Sequence, residues 1–268
     1  MAPLTELPAL NRTRFSSQTF VAETGSTNAD LLALASDGAS EGSVLVADHQ
    51  TAGRGRQQRT WHDEPGNALL VSYLLRPDRA VAPLMPLLAG VAACEALANL
   101  AGTGPTDGPA GLKWPNDVLA PALDERKLAG ILAESATAVD HRGGADRMVV
   151  VVGTGMNLRW GRPPPEEIKA RAATVEELFG HRIDRNEVLD RYLRHVEVWL
   201  RAVETDGGRV LLDRYRDHCL TLGRSVAFTT ATAEYEGTAT DISPTGTLLL
   251  ETAEGSVELH AGDAHHRR

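Results

Sequence analysis

The amino-acid sequence predicts an α+β fold, in which a central mixed β-sheet is flanked by helices and followed by a small all-β domain. Three observations predict it. Strand-like apolar runs follow one another at short intervals before residue 158, unlike the regular strand–helix alternation of a parallel sheet. Three helical stretches come next. From Gly223 onward, short strands separated by turns fill the remaining 45 or so residues, roughly the size of a small barrel.

The length of the chain favours two domains, because its 268 residues exceed the size at which a single core usually stops growing, about 250 residues. We predict an N-terminal arm at residues 1–14, a large domain at 15–220 and a small domain at 221–268. The arm is expected to be loose.

The elements of the large domain follow from local patterns. A helix begins in the segment STNAD at 26–30, where Thr27 and Asp30 have the spacing of a capping box. Short apolar runs predict strands at residues 44–47, 68–75, 112–114, 118–119, 128–134 and 148–152. A loop rich in glycine and proline at 160–165 precedes three helices, predicted at residues 174–179, 185–204 and 209–220.

The most apolar stretch, residues 83–101, predicts a helix. Because it contains Pro86, Glu95 and Asn99, we interpret it as a buried core helix and not as a membrane span. In the small domain, strands are predicted at residues 225–230, 234–242, 247–251 and 257–260.

Composition restricts the function classes. The formal net charge of −9 argues against affinity for nucleic acid gained by counterion release. Cys94 and Cys219 have no CxxC spacing and no nearby His/Cys cluster of metal-ligand type, so we interpret both as reduced packing residues. The N-terminus shows no basic region followed by an apolar one, so no secretory signal is predicted and we expect a cytoplasmic protein without membrane contact.

The most informative segment is the arginine loop, which we define as residues 50–61, QTAGRGRQQRTW. Its two glycines let backbone N–H groups approach an anion, and its three arginines add forked cationic donors suited to phosphate and carboxylate. It is not a Walker A loop, because no Gly-Lys-Ser/Thr follows. An anion site, a solvated basic turn and an RNA-contacting patch all remain open from this segment alone.

The segment KWPND at 113–117 predicts a tight turn between two strands. The turn needs no further function. Its lysine and aspartate would nevertheless place opposite charges at a sheet end, where a metal-bound triphosphate or an incoming amine could bind.

Three other segments carry weaker signals. In KLAGILAE at 127–134, a lysine precedes a strand whose glycine permits close backbone approach, although such a lysine is often only solubilising. The segment VVVVGTGMN at 149–157 lacks the third glycine and the following helix of a dinucleotide-binding fingerprint. Ser26 and Thr27 either cap the first helix or present hydroxyls to a polar ligand at its positive end.

In this order and spacing, STN, GRGR with a downstream tryptophan, KWPND, KLAGIL and GTGMN resemble the catalytic domain of biotin protein ligases. The C-terminal region resembles the small SH3-like domain of the same family, so the resemblance covers nearly the whole chain. It implies a biotin- and ATP-binding catalytic domain at 15–220, with the class II aminoacyl-tRNA synthetase-like sheet, and a small SH3-like β-barrel at 221–268.

The resemblance also implies a ligand for each segment. Ser26, Thr27 and Gln50 would contact the ureido head of biotin, and Lys127 would contact the acyl-phosphate oxygens. The implied biotin-binding set is Ser26, Thr27, Gln50, Gly53, Arg54, Arg56, Lys127 and Gly130. The implied ATP- and adenylate-binding set is Arg54, Arg56, Arg59, Trp61, Asn116, Lys127 and Asn157, with Trp61 and Asn157 enclosing the adenine.

The implied catalytic residues are Lys127, Arg56 and Asp117. Asp117 would steer the acceptor amine and is also the candidate ligand for Mg²⁺ that arrives with ATP. The loop at 160–165 would close over the adenylate and exclude water.

The implied partner is a biotin carboxyl carrier domain of an acyl-CoA or pyruvate carboxylase, and a monomer or weak homodimer is expected. Only about 14 residues precede the catalytic domain, too few for the winged helix-turn-helix of bifunctional relatives, so no repressor role and no nucleic-acid partner are expected. Gln58 stands where many relatives have glycine and would strain the loop if its φ were positive.

Two other functions compete with this prediction. A lipoate-attaching ligase would also adenylate a carboxylate and modify a lysine. A non-catalytic RNA-binding module would use the arginine loop and show salt-sensitive RNA binding.

Overall fold

The computed structural model describes residues 9–140, 147–229, 234–260 and 263–266. It confirms the predicted α+β architecture, with a seven-stranded mixed sheet and a five-stranded antiparallel sheet in the barrel-like C-terminal domain. The helices are α1 (Thr27–Ser36), α2 (Met85–Ala101), α3 (Glu166–Lys169), α4 (Val175–Phe179), α5 (Arg185–Asp206) and α6 (Arg209–His218).

The large sheet has the strand order β1-β2-β3-β7-β6-β5-β4. Its strands are β1 (Gln18–Thr24), β2 (Val44–Gln50), β3 (Ala68–Leu75), β4 (Gly111–Lys113), β5 (Asp117–Ala120), β6 (Arg126–Asp140) and β7 (Arg147–Asn157). The edge strand β1 runs parallel to β2, and the other neighbours are antiparallel. The small sheet has the order β11-β10-β9-β8-β12. Its strands are β8 (Ser225–Thr229), β9 (Glu234–Ile242), β10 (Leu248–Thr252), β11 (Gly255–Leu259) and β12 (Asp263–His266).

Helices cover both faces of the large sheet at its centre. All eight residues of β3 are buried, because alternate side chains point to opposite faces and each face has a cover. Leu69 and Tyr73 face the main core together with α2 and α5, whereas Leu74 packs with Leu31 of α1 on the other face. A strand buried on both sides shows a continuous apolar run, as this one does.

The apolar stretch is a core helix. The segment Ala82–Ala101 is long and apolar enough to cross a membrane, yet 78% of its most apolar window is buried inside the protein. It begins with a 3-10 turn, Ala82–Leu84, and ends at Gly102, whose φ of 68° is the left-handed conformation that favours glycine at a helix end. The prediction of a buried core helix is therefore confirmed.

The described part of the predicted arm, residues 9–14, is anchored and not loose. Leu10–Arg12 form a 3-10 turn. The Arg14 guanidinium lies 3.0 Å from the Glu197 carboxylate on α5 and 2.8 Å from Glu41. Burial opposes ionisation of Glu197, but the hydrogen bonds and charges of Arg14 and Arg201 outweigh it and hold the pKa of Glu197 below its usual value. The physical reason for the difference is long-range ion pairing, which a local pattern does not reveal.

The structure differs from the predictions in three further details. It contains two strands that were not predicted, β1 and β12, and the helix expected at 209–220 ends at His218. Residue 230, the last of the predicted strand at 225–230, lies outside the described residues.

The small domain is attached at the KWPND turn. The indole of Trp114, buried to 2% exposure, packs against Phe228 with ring centroids 5.7 Å apart. Its Nε1 donates to the backbone oxygen of Gly246 at 3.0 Å. The small domain therefore lies beside the segment that carries Asn116 and Asp117.

Candidate functional site

Four strands of the large sheet form the floor of a pocket. Backbone pairing places Asp117, Gly130, Gly155 and Leu70 in one row across β5, β6, β7 and β3. The row brings together residues from KWPND, KLAGIL, GTGMN and the central strand. Side chains from α1 and the arginine loop complete the pocket.

The two glycines of the row make room for an indole. A Cβ at Gly155 would lie 2.7 Å from Cε2 of Trp61, and one at Gly130 would lie 3.3 Å from the same ring. The contact at Gly155 is too short for a side chain and the one at Gly130 is tight, so the two glycines let Trp61 lie close against the sheet. The glycines of AGI and GTG therefore serve close packing, and the predicted absence of a dinucleotide-binding turn agrees with their place inside the sheet.

One end of the pocket is polar and uncharged. Gln50, at the end of β2, accepts a hydrogen bond from the backbone N–H of Thr27 at 2.8 Å. Ser26 is the N-cap residue of α1, but its side chain makes no capping hydrogen bond. The capping role considered for Ser26 and Thr27 is therefore taken by the Gln50 amide, and Asp30 instead accepts a hydrogen bond from Thr24. Both hydroxyls line the pocket.

The other end is cationic. Lys127, at the start of β6, places its Nζ 2.6 Å from Oδ1 of Asp117 and 5.8 Å from the ring centroid of Trp61. Arg56 donates from Nη1 to Oδ1 of Asn116 at 3.2 Å. Both cations thus approach the KWPND turn from opposite sides.

The arginine loop is a closed hairpin. Gly55 N–H donates to the Arg59 oxygen at 2.7 Å, and Trp61 N–H donates to the Gly53 oxygen at 2.9 Å. Gln57 has a positive φ of 53°. Gln58 is not fully described in the structure, so the strain considered for it stays a prediction.

Most of the predicted site residues line this one pocket. They are Ser26, Thr27, Gln50, Arg54, Arg56, Arg59, Trp61, Asn116, Asp117, Lys127 and Gly130. Gly53 lines an adjoining groove. Asn157 lines neither cavity, and its Nδ2 instead donates to the backbone oxygen of Ala173 at 3.2 Å, next to the end of β7.

Sequence reasoning missed four pocket residues or neighbours: Asn28, Ser72, Glu134 and Thr154. Thr154 lines the pocket and hydrogen-bonds the hydroxyl of Tyr192 at 2.7 Å. Burial outweighs that bond and raises the pKa of Tyr192 to about 12. Asn28 and Glu134 stand within motifs that the sequence singled out, but nothing local distinguishes them from their neighbours.

The adjoining groove runs from the arginine loop to the small domain. Its walls include Gly53 and Gln57 on one side and Tyr235, Thr247 and His260 on the other. The groove opens toward the same KWPND turn that supports the pocket, so a large ligand could reach the pocket along it.

The pocket is poorly suited to hold a metal ion by itself. Among the described residues, no group of three histidine, cysteine, aspartate or glutamate side chains could ligate a metal. Asp117 is the one carboxylate among the residues that line the pocket, and Lys127 already contacts it. A divalent cation fits here only with ligands from its own substrate and water, which is the usual coordination of Mg²⁺ on phosphates.

Sequence comparison agrees with this geometry. Residues 21–157 match the biotin/lipoate A/B protein ligase family, and residues 221–267 match the biotin protein ligase C terminal domain. The chain belongs to this family. A Biotin--[acetyl-CoA-carboxylase] ligase of Mycobacterium tuberculosis is 38% identical over 254 residues, which are 92% of this chain and 88% of that protein.

Other relatives of the family carry the same signal. The Bifunctional ligase/repressor BirA of Bacillus subtilis is 34% identical over 86% of this chain and 68% of its own length. Among solved structures, a biotin protein ligase from Aquifex aeolicus in complex with biotin and ATP has a TM-score of 0.77 at 32% identity, and the match covers 95% of this chain and all of that one (100%). The resemblance predicted from the motifs is confirmed.

Proposed function

We propose that this ligase joins biotin to ATP, forming biotinyl-5′-AMP, and then transfers biotin to a lysine of a biotin carboxyl carrier domain. The observation that carries the proposal is one pocket with two chemically different ends, a neutral polar end at Thr27 and Gln50 and a cationic end at Lys127 and Arg56. A molecule with a urea-like head and a carboxylate tail matches both ends.

The neutral end suits the ureido head of biotin. The Ser26 and Thr27 hydroxyls and the Gln50 amide supply donors and acceptors without net charge. Between the two ends, the Trp61 indole on the glycine row supplies an apolar wall for the rings and the aliphatic tail. The carboxylate then lies toward Arg56 and Lys127.

The cationic end reduces the repulsion between the two anionic substrates, which is the main barrier of the first reaction. The biotin carboxylate attacks the α-phosphorus of ATP, so two anions have to meet and pyrophosphate has to leave. Arg54, Arg56 and Arg59 hold the carboxylate and the phosphates, and Lys127 stabilises the charge that develops on the α-phosphate oxygens. Bound Mg²⁺ would lower the charge of the triphosphate further. Asn116 supports this end by holding Arg56.

Asp117 serves the second reaction in this proposal. In the structure its carboxylate contacts Lys127 at 2.6 Å, so it acts once Lys127 has turned toward the phosphate. It attracts the acceptor ammonium and receives its proton, the neutral amine attacks the acyl carbon, and AMP leaves with the electron pair of the broken C–O bond. A role as a ligand of Mg²⁺ would compete with both contacts.

The contacts of Asn157 favour a supporting role over the adenine contact predicted from the sequence. Its side chain donates to the backbone oxygens of Lys127 and Ala173 at 3.4 and 3.2 Å, and so links the start of β6 to the segment that follows α3. In this proposal Trp61 forms one wall of the adenylate site, and the loop at 160–165 covers the adenylate.

The partner in this proposal is the carrier domain of acetyl-CoA carboxylase, with the carrier domain of pyruvate carboxylase as a further substrate. A cytoplasmic location, a monomer or weak homodimer and the lack of a nucleic-acid partner complete the proposal. A lipoate ligase is the second candidate, but the Mycobacterium tuberculosis relative and the Aquifex aeolicus structure reported above are named for biotin.

Biotin-dependent exchange of pyrophosphate into ATP tests the first reaction. Transfer of biotin from preformed adenylate to a lysine of a carrier domain, with release of AMP, tests the second. Lys127→Ala and Arg56→Ala should slow exchange by about 100-fold or more, the usual loss for a group that stabilises transition-state charge. Asp117→Ala should also slow transfer from preformed adenylate.

Arg182→Ala, which removes an exposed arginine before α5, is the matched control and should leave both rates unchanged. Normal rates in all three pocket variants would refute the assigned roles. Exchange that depends on lipoate and not on biotin would refute the substrate.

A further inference from the structure

A chain of polar side chains leads from the neutral end of the pocket to the arginine loop. The hydroxyl of Ser72, on β3, lies 2.7 Å from the hydroxyl of Thr27 and donates to Oδ1 of Asn28 at 2.6 Å. The Nδ2 of Asn28 donates to the Glu134 carboxylate at 2.8 Å. The other oxygen of Glu134 lies 3.2 Å from Nη1 of Arg54.

The middle of this chain is buried and rigid. Ser72 is fully buried, and Thr27 and Asn28 are each 4% exposed. Asn28 also donates to the backbone oxygen of Leu132 at 3.1 Å, so both ends of its amide are engaged. A Cβ at Gly153 would lie only 2.1 Å from Oδ1 of Asn28, so the Asn28 amide packs directly against the Gly153 backbone. Glu134 is therefore held from behind by a fixed donor.

Arg54, by contrast, stands at the pocket mouth with 45% of its side chain exposed. A long cationic side chain in that position loses considerable rotamer entropy when an anion binds it. A guanidinium has five N–H donors, so a carboxylate on one edge leaves other edges available to phosphate or carboxylate oxygens.

We propose that Glu134 is a positioning residue, which holds the Arg54 guanidinium over the pocket for its anionic substrates, and that Ser72 and Asn28 fix Glu134 in turn. The proposal rests on the assignment of Arg54 to the biotin carboxylate and ATP phosphates. It adds that the neutral end of the pocket, at Thr27, is linked by this chain of hydrogen bonds to Arg54, the cation that binds the anions. Preorganised donors of this kind need not reorganise during reaction.

The alternative role of Glu134, judged from its charge alone, is inhibitory. A carboxylate near the phosphates would repel them. An ion pair that has to break before Arg54 binds its ligand would slow the reaction. The position of Asn28 favours the positioning role. Glu134 is held by the neutral amide of Asn28, and it keeps that contact while the far edge of the Arg54 guanidinium binds a ligand.

Glu134→Gln separates these alternatives with little change in shape. The glutamine oxygen can still accept from Asn28, but its NH₂ group then faces Arg54 and cannot pair with it. We expect kcat/KM for biotin-dependent pyrophosphate exchange to fall about tenfold, the loss typical of one charge-assisted hydrogen bond. In an Arg54→Ala background, Glu134→Gln should cause less than about a twofold further loss, because it acts through Arg54.

Ser72→Ala is the second variant and should also lower exchange, because Ser72 helps to fix Asn28 and thereby Glu134. Ser72 does not line the pocket, so this loss is not due to a lost ligand contact. Glu254→Gln, in an exposed turn, removes the same charge and should have no effect. Losses that multiply in the Arg54→Ala background, or a faster reaction in Glu134→Gln, would overturn the proposal.

Nuclear relaxation of the ¹⁵N-labelled arginine side chains gives a readout that does not need catalysis. The Nε–H group of Arg54 should be ordered in the ligand-free wild type and mobile in Glu134→Gln, with the other arginines unchanged. If exchange is absent from the wild type, the proposed function fails. An Arg54 side chain that is equally mobile in both proteins would remove the positioning role by itself.

Discussion

Gly153→Ala tests the packing beneath the polar chain. Gly153 lies inside β7, where alanine is compatible with the backbone, so any effect comes from the added methyl group. That methyl would lie 2.1 Å from Oδ1 and 2.9 Å from Cγ of Asn28. Asn28 would have to leave its position and give up its contacts with Ser72, Leu132 and Glu134.

The expected cost follows from these contacts. Overpacking a buried site costs about 1–3 kcal/mol, and leaving a buried polar group without its partner costs a similar amount. We expect Gly153→Ala to lower the free energy of unfolding by about 2–5 kcal/mol. For a protein of this size, 1 kcal/mol corresponds to roughly 2–4 °C in Tm, so the midpoint should fall by about 10 °C.

Urea and thermal unfolding, followed by circular dichroism, measure this change. Gly25→Ala is the matched control, because a Cβ there has no atom within 4 Å, and its stability should stay within about 0.5 kcal/mol of the wild type. The reasoning is refuted if Gly153→Ala melts within about 2 °C of the wild type, since Asn28 would then have room that the packing denies it.

Two further predictions concern stability away from the pocket. Thr174→Ala removes the capping box of α4, in which the Thr174 hydroxyl accepts from the Glu177 N–H and the Glu177 carboxylate accepts from the Thr174 N–H. Chemical denaturation should show that the free energy of unfolding falls by about 1 kcal/mol. An unchanged midpoint would contradict this prediction. His218 is buried, which lowers its pKa below the ordinary value, with Arg214 acting in the same direction and Glu95 and Asp217 against it. The folded state therefore binds fewer protons than the unfolded state as pH falls below about 6.5. The contribution of His218 to the free energy of unfolding is present above that pH, about 6.5, and is lost on acidification. In His218→Gln, the decrease in unfolding free energy between pH 7 and about 5 should be smaller than in the wild type; parallel pH profiles would show that His218 is not responsible.

The fold class and the chemistry-bearing segments could be read from the sequence because they depend on local patterns. The apolar run of β3 predicts a strand whatever its neighbours are, and the length and alanine content of α2 predict a helix. Strand β1 was not predicted because Gln18–Thr24 has no clear alternation. Its three half-buried positions, Gln18, Val21 and Thr24, are three residues apart instead of two. Its extended form depends on parallel pairing with β2, from Gln18 opposite Val44 to Thr24 opposite Gln50.

The same division holds within the site. The residue types of the arginine loop are typical of an anion site, because clustered cations and exposed backbone amides bind anions, although a solvated basic turn or an RNA-contacting patch would have the same residues. The partner of each cation was not predictable. Arg54 meets Glu134 and Arg56 meets Asn116 because the fold brings the arginine loop to strands distant in the chain, and Lys127 meets Asp117 through the register of two neighbouring strands.

The sequence by itself determined most of the elements, the two-part architecture and the chemical character of the pocket, because each of these depends on short stretches of neighbouring residues. Only the tertiary structure decided that Trp61 lies on a row of glycines, that Gln50 caps α1, and that Ser72 and Asn28 stand behind Glu134. These contacts join positions up to 106 residues apart, and their existence depends on strand order and register, which no local pattern specifies.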